Sequence, residues 1–407
     1  MPLPSPARFS GTTSAGRWPE SSSKSFDVPL LVTLGLLVLI GIATVYSATF
    51  DEAGRHWIKQ AVYAAMGVLA MIGLFMVPPK VFYALAYPAY VLSLFPLLYI
   101  IIFKADSVER WIALPGGFNL QPSEITKVAF LLAMARLLSF QGVTLSQPKT
   151  LIAPAALFFF PFILVLNQPN LSTALSFVAM TMVMCYWSGL TIREIFLLAS
   201  PVLSVALAFH QIAWAFMFMV LIGIMLVSRI NLKATAALLL LNIAAGYGAY
   251  FVWNKILYAH QRGRILTFVD PQRDPLGAGY QVLQSKVAIG SGQLFGKGYL
   301  NGTQTNLSFL PEEHTDFIFS VLGEQFGFLG CVFVILLYLF LLHRILRVGV
   351  DMRNRFVSLV AVGVAGILGF HIIVNISMTI GMMPVTGLPL PFMSYGGSFM
   401  ISCLIMI

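Results

Sequence analysis

Charge is what this chain has least of. Asp, Glu, Lys and Arg together make up 10% of its 407 residues, against roughly 25% in soluble domains. Hydrophobic residues make up 58%, so a water-soluble globule of this length would lack the polar surface to cover its core. Cysteine is scarce too. Cys185, Cys331 and Cys403 all lie inside apolar runs and read as small core residues, not as a disulfide framework or a metal set. There is no GxSxG elbow, P-loop, dinucleotide fingerprint or metal-ligand spacing. The catalytic classes those motifs carry are left without support.

What the chain has is apolar length. Residues 1–26 are polar and rich in Ser, Pro and Arg, which describes a disordered tail and not a signal peptide. A first span runs from about Val28 to Phe50, and further runs begin near Trp57, Phe82, Pro122, Leu151, Leu171, Ile192, Ile212, Ala234, Phe317, Phe356 and Pro391. About twelve spans are expected, each of about twenty residues with some shorter. The fold class is therefore an all-α polytopic membrane protein: a tail of residues 1–26 and a membrane domain of residues 27–407.

Orientation follows from the short loops. Lys80, Arg136 with Lys149, Arg193, Arg229 with Lys233, and Arg344, Arg347, Arg353 and Arg355 share one side if the N-terminus is cytoplasmic. The opposite loops hold fewer bases, chiefly Arg55, Lys59, Lys104 and Arg110. The net charge of +9 is thus explained by topology and does not call for nucleic acid. The long loop 258–315 then faces outside. Its glycine-rich runs predict a folded cap with one or two short helices, QVLQSKVAI being a candidate, and a loop of this length tends to be functional.

That loop ends in PEEHTDF, which sets Glu312, Glu313, His314 and Asp316 against the apolar run Phe317 to Leu342. Ionisable residues at the mouth of a span are costly to desolvate and point to a site. The bland alternative for Asp316 is a cap on the following helix. A second candidate is RWIALPGGFNLQPSEITK, Arg110 to Lys127. Glu124 and Lys127 share a helix face and can pair, Pro122 suits a first helical turn, and Trp111 suits the headgroup level or a sugar face. Lys59, beside Gln60, is either a snorkelling lysine or a specific group. Lys286 lies among glycine turns whose amides can nest an anion. His371 and Asn375, four residues apart, read as a helix–helix hydrogen-bonding pair.

QPSEITK, DPLGAGYQVLQSKVAIGSGQLFGKG, GTQTNLSFLPEEHTDFIF and MPVTGLPLPFMSYGGS resemble the motifs of the SEDS family, the shape, elongation, division and sporulation proteins, in the family's order. The GTQ…FLPE.HTDFIF form is nearer its rod-shape members than its division members. The resemblance implies a glycosyltransferase that polymerises lipid II into glycan strands at the outer face of the bacterial cytoplasmic membrane. Its essential carboxylate falls on Asp316. Glu124, Lys127, Arg110, Trp111 and Lys286 carry over as substrate-binding residues, and Lys59 fits a basic position in the second span. The implied partners are lipid II, the growing glycan, membrane lipid, a class B penicillin-binding protein and other membrane proteins of the elongation complex. Arg110, Lys127, Lys286 or a divalent cation such as Mg or Mn would answer the leaving pyrophosphate. A lipid flippase is the rival reading, since buried charges and broken helices also describe transporters. Two departures stand out. QPNLST replaces the family's QPDLGT, so Asn170 and Ser172 stand where aspartate and glycine are usual. About four spans occupy 171–257, where two are usual.

Overall fold

The computed structural model describes residues 27–407 apart from 51–55, 104–109, 115–117, 141–146, 148, 169, 228–231, 257–258, 271–276 and 307–312. The expected tail, and Arg55, Lys104, Arg229 and Glu312, lie outside the described residues. The rest is almost wholly helical. In order come α1 (Val28–Ala48), α2 (His56–Phe75), α3 (Pro79–Phe103), the short strands β1 (Ile112–Leu114) and β2 (Phe118–Leu120), α4 (Pro122–Phe140), α5 (Lys149–Leu166), α6 (Leu171–Ser188), α7 (Ile192–Leu207), α8 (Gln211–Val227) and α9 (Leu232–Phe251). Then follow α10 (Ala259–Val269), α11 (Ala278–Ser291), α12 (Thr303–Asn306), α13 (Ile318–Asp351), α14 (Arg355–Thr379) and α15 (Gly397–Met406). The long loop thus holds three helices, and QVLQSKVAI is the body of α11.

Eight of the described helices are long and apolar enough to cross a membrane. A count of twelve would add α4, α7, α8 and α15, which are shorter or less apolar. Four helices, α6 to α9, lie between Leu171 and Phe251. The last three form a small bundle with its own core of Leu197, Met217, Leu221 and Met225. A polar knot ties it. Asn242 Nδ2 donates to Ser200 Oγ at 2.9 Å, and Ser204 Oγ donates to Asn242 Oδ1 at 2.7 Å.

The basic helix ends also serve as fasteners. Arg344 makes a two-pronged pair with Asp27, Nη2 to Oδ2 at 2.7 Å, and Asp27 caps α1 by accepting from Leu30 N. Arg136 packs on the rings of Tyr83 and Tyr87 and donates to Tyr83 O at 2.8 Å. Arg355 reaches Ser188 O. These contacts join the start of α1 to the end of α13, the start of α3 to the end of α4, and the start of α14 to the end of α6. One end of the bundle therefore collects them, and Asp316 lies at the other.

Two details place Asp316. First, α13 is broken at Gly327, whose φ of 64° and ψ of −163° lie outside helical space and favour a residue without Cβ. Loop 292–300 pairs into the break: Lys297 N donates to Glu324 O and Gly298 N to Gln325 O, while Phe328 N returns to Gln293 O and Leu329 N to Leu294 O. Glu324, fully buried, adds an ion pair with Lys297 Nζ at 2.7 Å and accepts from Gln304 N at 3.0 Å. Second, the apolar segment expected to span from Pro391 is not helical until Gly397. Residues 380–396 form an irregular loop, because Pro384, Pro389 and Pro391 cannot donate backbone bonds and interrupt a helix.

Candidate active site

Irregular backbone inside a membrane bundle persists only where protein satisfies it, and loop 380–396 is satisfied from five helices. Gln60 Nε2 on α2 donates to Ser394 O at 2.9 Å, and Gln60 Oε1 accepts from Gly396 N. Ser172 Oγ on α6 and Arg264 Nη1 on α10 both donate to Thr386 O. Tyr338 Oη on α13 donates to Pro391 O. On α14, Asn375 Nδ2 donates to Leu388 O, and His371 Nδ1 lies 3.3 Å from Pro389 O. His371 and Asn375 thus bind the loop, and not a neighbouring helix as their spacing suggests.

Asp316 sits against this loop. A Cβ placed on Gly387 would stand 3.2 Å from Asp316 Oδ2 and 3.8 Å from Arg264 Nη1. The carboxylate and the guanidinium therefore meet at one bare stretch of backbone. Gly387 has φ +72°, so any side chain there would be both strained and in the way. The cap of α13 falls on Phe317, so Asp316 precedes the capping position. The turn before it is pinned separately. Tyr395 N donates to His314 O at 2.9 Å, and the rings of His56, His314 and Tyr395 cluster within 4.9–5.6 Å of one another.

Cations gather on the same side. Arg110 is half-buried, and burial, then the nearby Arg264 guanidinium, hold its pKa below the usual arginine value. Arg264, Thr267 and Lys286 line an open cleft with Val282, Met383 and Val385. Lys286 lies across Gly381, where a Cβ would collide with its Nζ. Trp111 is exposed just before the β1–β2 hairpin, which pairs Ile112 with Leu120. That hairpin is held by Ser398, which donates to Asn119 O and accepts from Gln121 N.

Glu124 and Lys127 form a buried pair on α4, Nζ to Oε1 at 2.7 Å with side chains 5% and 1% exposed. Ser402 donates to the second carboxylate oxygen at 2.9 Å. The pair is deeper than the cleft. Lys127 Nζ lies 5.3 Å over the Phe399 ring, on which His371 stacks at 4.9 Å, and one turn along α14 Asn375 donates to Asp316 O. Lys59 is exposed, while its neighbour Gln60 is fully buried and reaches the loop. Asn170, in the usual place of aspartate, caps α6 by accepting from Thr173 N. Sequence reading missed Arg264, named Gln60 only beside Lys59, and named Ser172 only as a departure from the family pattern. Gly387 sits in the quoted GLPLP run, the one signal available.

The FtsW/RodA/SpoVE cell cycle protein family matches residues 25–216 and 213–407, the whole membrane domain. The chain belongs to this family. It is 34% identical to the peptidoglycan glycosyltransferase RodA of Treponema pallidum over 92% of this chain and 94% of that one. It is 36% identical to the peptidoglycan glycosyltransferase MrdB of Escherichia coli over 91% and 88%. In three dimensions it resembles a chain from a peptidoglycan synthase complex that coordinates polymerization and crosslinking, with a TM-score of 0.69, 28% identity and coverage of 94% and 95%.

Proposed function

We propose that this chain is a peptidoglycan glycosyltransferase of cell elongation, polymerising lipid II at the outer face of the bacterial cytoplasmic membrane. The observation that carries the reading is the meeting of Asp316, Gly387 and Arg264 at the end of the bundle away from the basic fasteners. Asp316 is the general base. It takes the proton of the acceptor sugar hydroxyl as that oxygen attacks the anomeric carbon of the donor. The bond to the pyrophosphate breaks in the same displacement, so an α-linked donor gives a β-linked product. The leaving pyrophosphate gains charge, and Arg110, Arg264 and Lys286 are placed to answer it. A base in reach contributes typically about 10²–10⁴-fold. Trp111 supplies an aromatic face for sugar or headgroup.

Among the described residues no three His, Cys, Asp or Glu side chains converge as ligands for a metal ion. The described residues alone do not offer a cage for Mg or Mn. A divalent cation acting here would rest on a single carboxylate and on substrate phosphate oxygens, a common arrangement for Mg.

The N-terminus is cytoplasmic in this reading, and the three-helix loop is free to meet a class B penicillin-binding protein outside. A flippase would need charged groups reachable from both leaflets. Arg344, Arg136 and Arg355 on the opposite side are instead engaged with Asp27, Tyr83 and Ser188. The test is polymerisation of labelled lipid II by the purified chain, wild type against Asp316→Asn. Asparagine keeps size and hydrogen bonding but cannot take the proton, so activity should fall at least a hundredfold. Retention of more than about a tenth of wild-type activity would remove Asp316 as the base.

A further inference from the structure

Asn375 is fully buried on α14, and it uses one nitrogen twice. Its Nδ2 donates to the carbonyl of Asp316 at 2.9 Å and to the carbonyl of Leu388 at 2.8 Å. An amide nitrogen carries two protons, so each goes to a different backbone segment. Those segments are the two between which the Asp316 carboxylate and Gly387 face each other. The other flank of Gly387 is fixed from elsewhere, since Thr386 O accepts from Ser172 and Arg264. One turn earlier on the same face of α14, His371 holds Pro389 O. The stretch around Gly387 is thus located from three elements, α6, α10 and α14. The side chain that gauges it directly against Asp316 is Asn375.

We infer that Asn375 is a positioning residue for sugar transfer: it sets the gap between the Asp316 carboxylate and Gly387 and acts on the reaction through Asp316. This rests on the reading of Asp316 as the base. In that reading the acceptor hydroxyl approaches the carboxylate on the side that Gly387 leaves bare. Displacement of a reacting group by about 1 Å can cost about 10²-fold in rate. Loss of the amide frees both carbonyls from a common donor, so the two segments no longer share a reference point. A residue that only glues helices would act differently. It would lower stability without preference for kcat over KM.

The experiment uses the full chain in proteoliposomes with labelled lipid II, comparing Asn375→Ala, Asp316→Glu and the double variant. Asn375→Ala should lower kcat about a hundredfold and leave KM within about threefold. Asp316→Glu keeps the charge but moves it by a methylene. In that background the alanine should cost less than about threefold more, because the geometry it protects is already lost. Losses that multiply in the double variant would overturn the inference, as would a raised KM with kcat unchanged. Where Asn375→Ala does not insert as a monodisperse protein, Asn375→Ser, which keeps a small polar group, replaces it. Failure of both to fold would place Asn375 in folding and also overturn the inference. Failure of the base reading shows separately, as an active Asp316→Asn variant.

Discussion

Removing Lys127 should do more harm than removing Lys127 and Glu124 together. The pair is 2.7 Å apart with side chains almost fully excluded from solvent. At an effective dielectric of about 20, that separation corresponds to an attraction of about 6 kcal/mol. Desolvating two ions costs several kcal/mol each, so the net worth of the intact pair is small. Lys127→Met deletes the attraction but leaves the Glu124 carboxylate buried, with Ser402 as a remaining donor. Destabilisation of about 3–5 kcal/mol is expected. Glu124→Gln strands the ammonium in the same way, over the Phe399 ring. The double variant strands nothing and should lie near wild type, a coupling of several kcal/mol. The assay is SDS-induced unfolding of the full chain in mixed micelles for wild type, both singles and the double. Additivity within about 0.5 kcal/mol, the behaviour of independent sites, would show that the two do not pair and would refute the reasoning.

Three further outcomes are expected. Asn301→Cys, exposed in the loop before α12, should react with an impermeant maleimide on intact spheroplasts, and the buried native cysteines keep the background low; labelling only after permeabilisation would invert the topology. Ser172→Ala removes one of the two donors to Thr386 O and should lower polymerisation about fivefold, the worth of about 1 kcal/mol for one hydrogen bond; an unchanged rate would show that Arg264 suffices. Asn242→Leu unties the knot of α7 and α9, where polar contacts between membrane helices average about 0.6 kcal/mol. It should cost about 1–2 kcal/mol of stability and leave polymerisation within twofold, and a tenfold loss in a folded variant would bring the extra helices into the site.

Local features were readable from sequence, and remote ones were not. The Glu124–Lys127 pair needs only a helix and a spacing of three, and both were visible around Pro122. The helix α11 was visible for the same reason. Lys59 shows how narrow that legibility is. One residue along a helix is a turn of about 100°, so a charged residue next to a buried one points elsewhere, and Gln60 reaches the loop instead. The break at Gly327 was not read from the sequence, although Glu324 and Gln325 stand just before it in an otherwise apolar run. Only the backbone pairing with loop 292–300 makes that glycine different from the others in the segment.

The least legible feature is the way the site is held, and the reason is chemical. Loop 380–396 is recognised largely through its carbonyl oxygens, at Thr386, Leu388, Pro389, Pro391 and Ser394. A carbonyl is present at every position whatever the side chain, so sequence marks the donors at best, and Gln, Ser, Tyr, His and Asn are ordinary residues in a membrane helix interior. The prolines that remove N–H groups from the loop make acceptors outnumber donors within it, so donors must arrive from the surrounding helices. That imbalance turns an irregular segment into a fixed one. Gly387 can then stand beside Asp316 with no side chain between them, and the carboxylate faces a surface whose position is set by five helices at once.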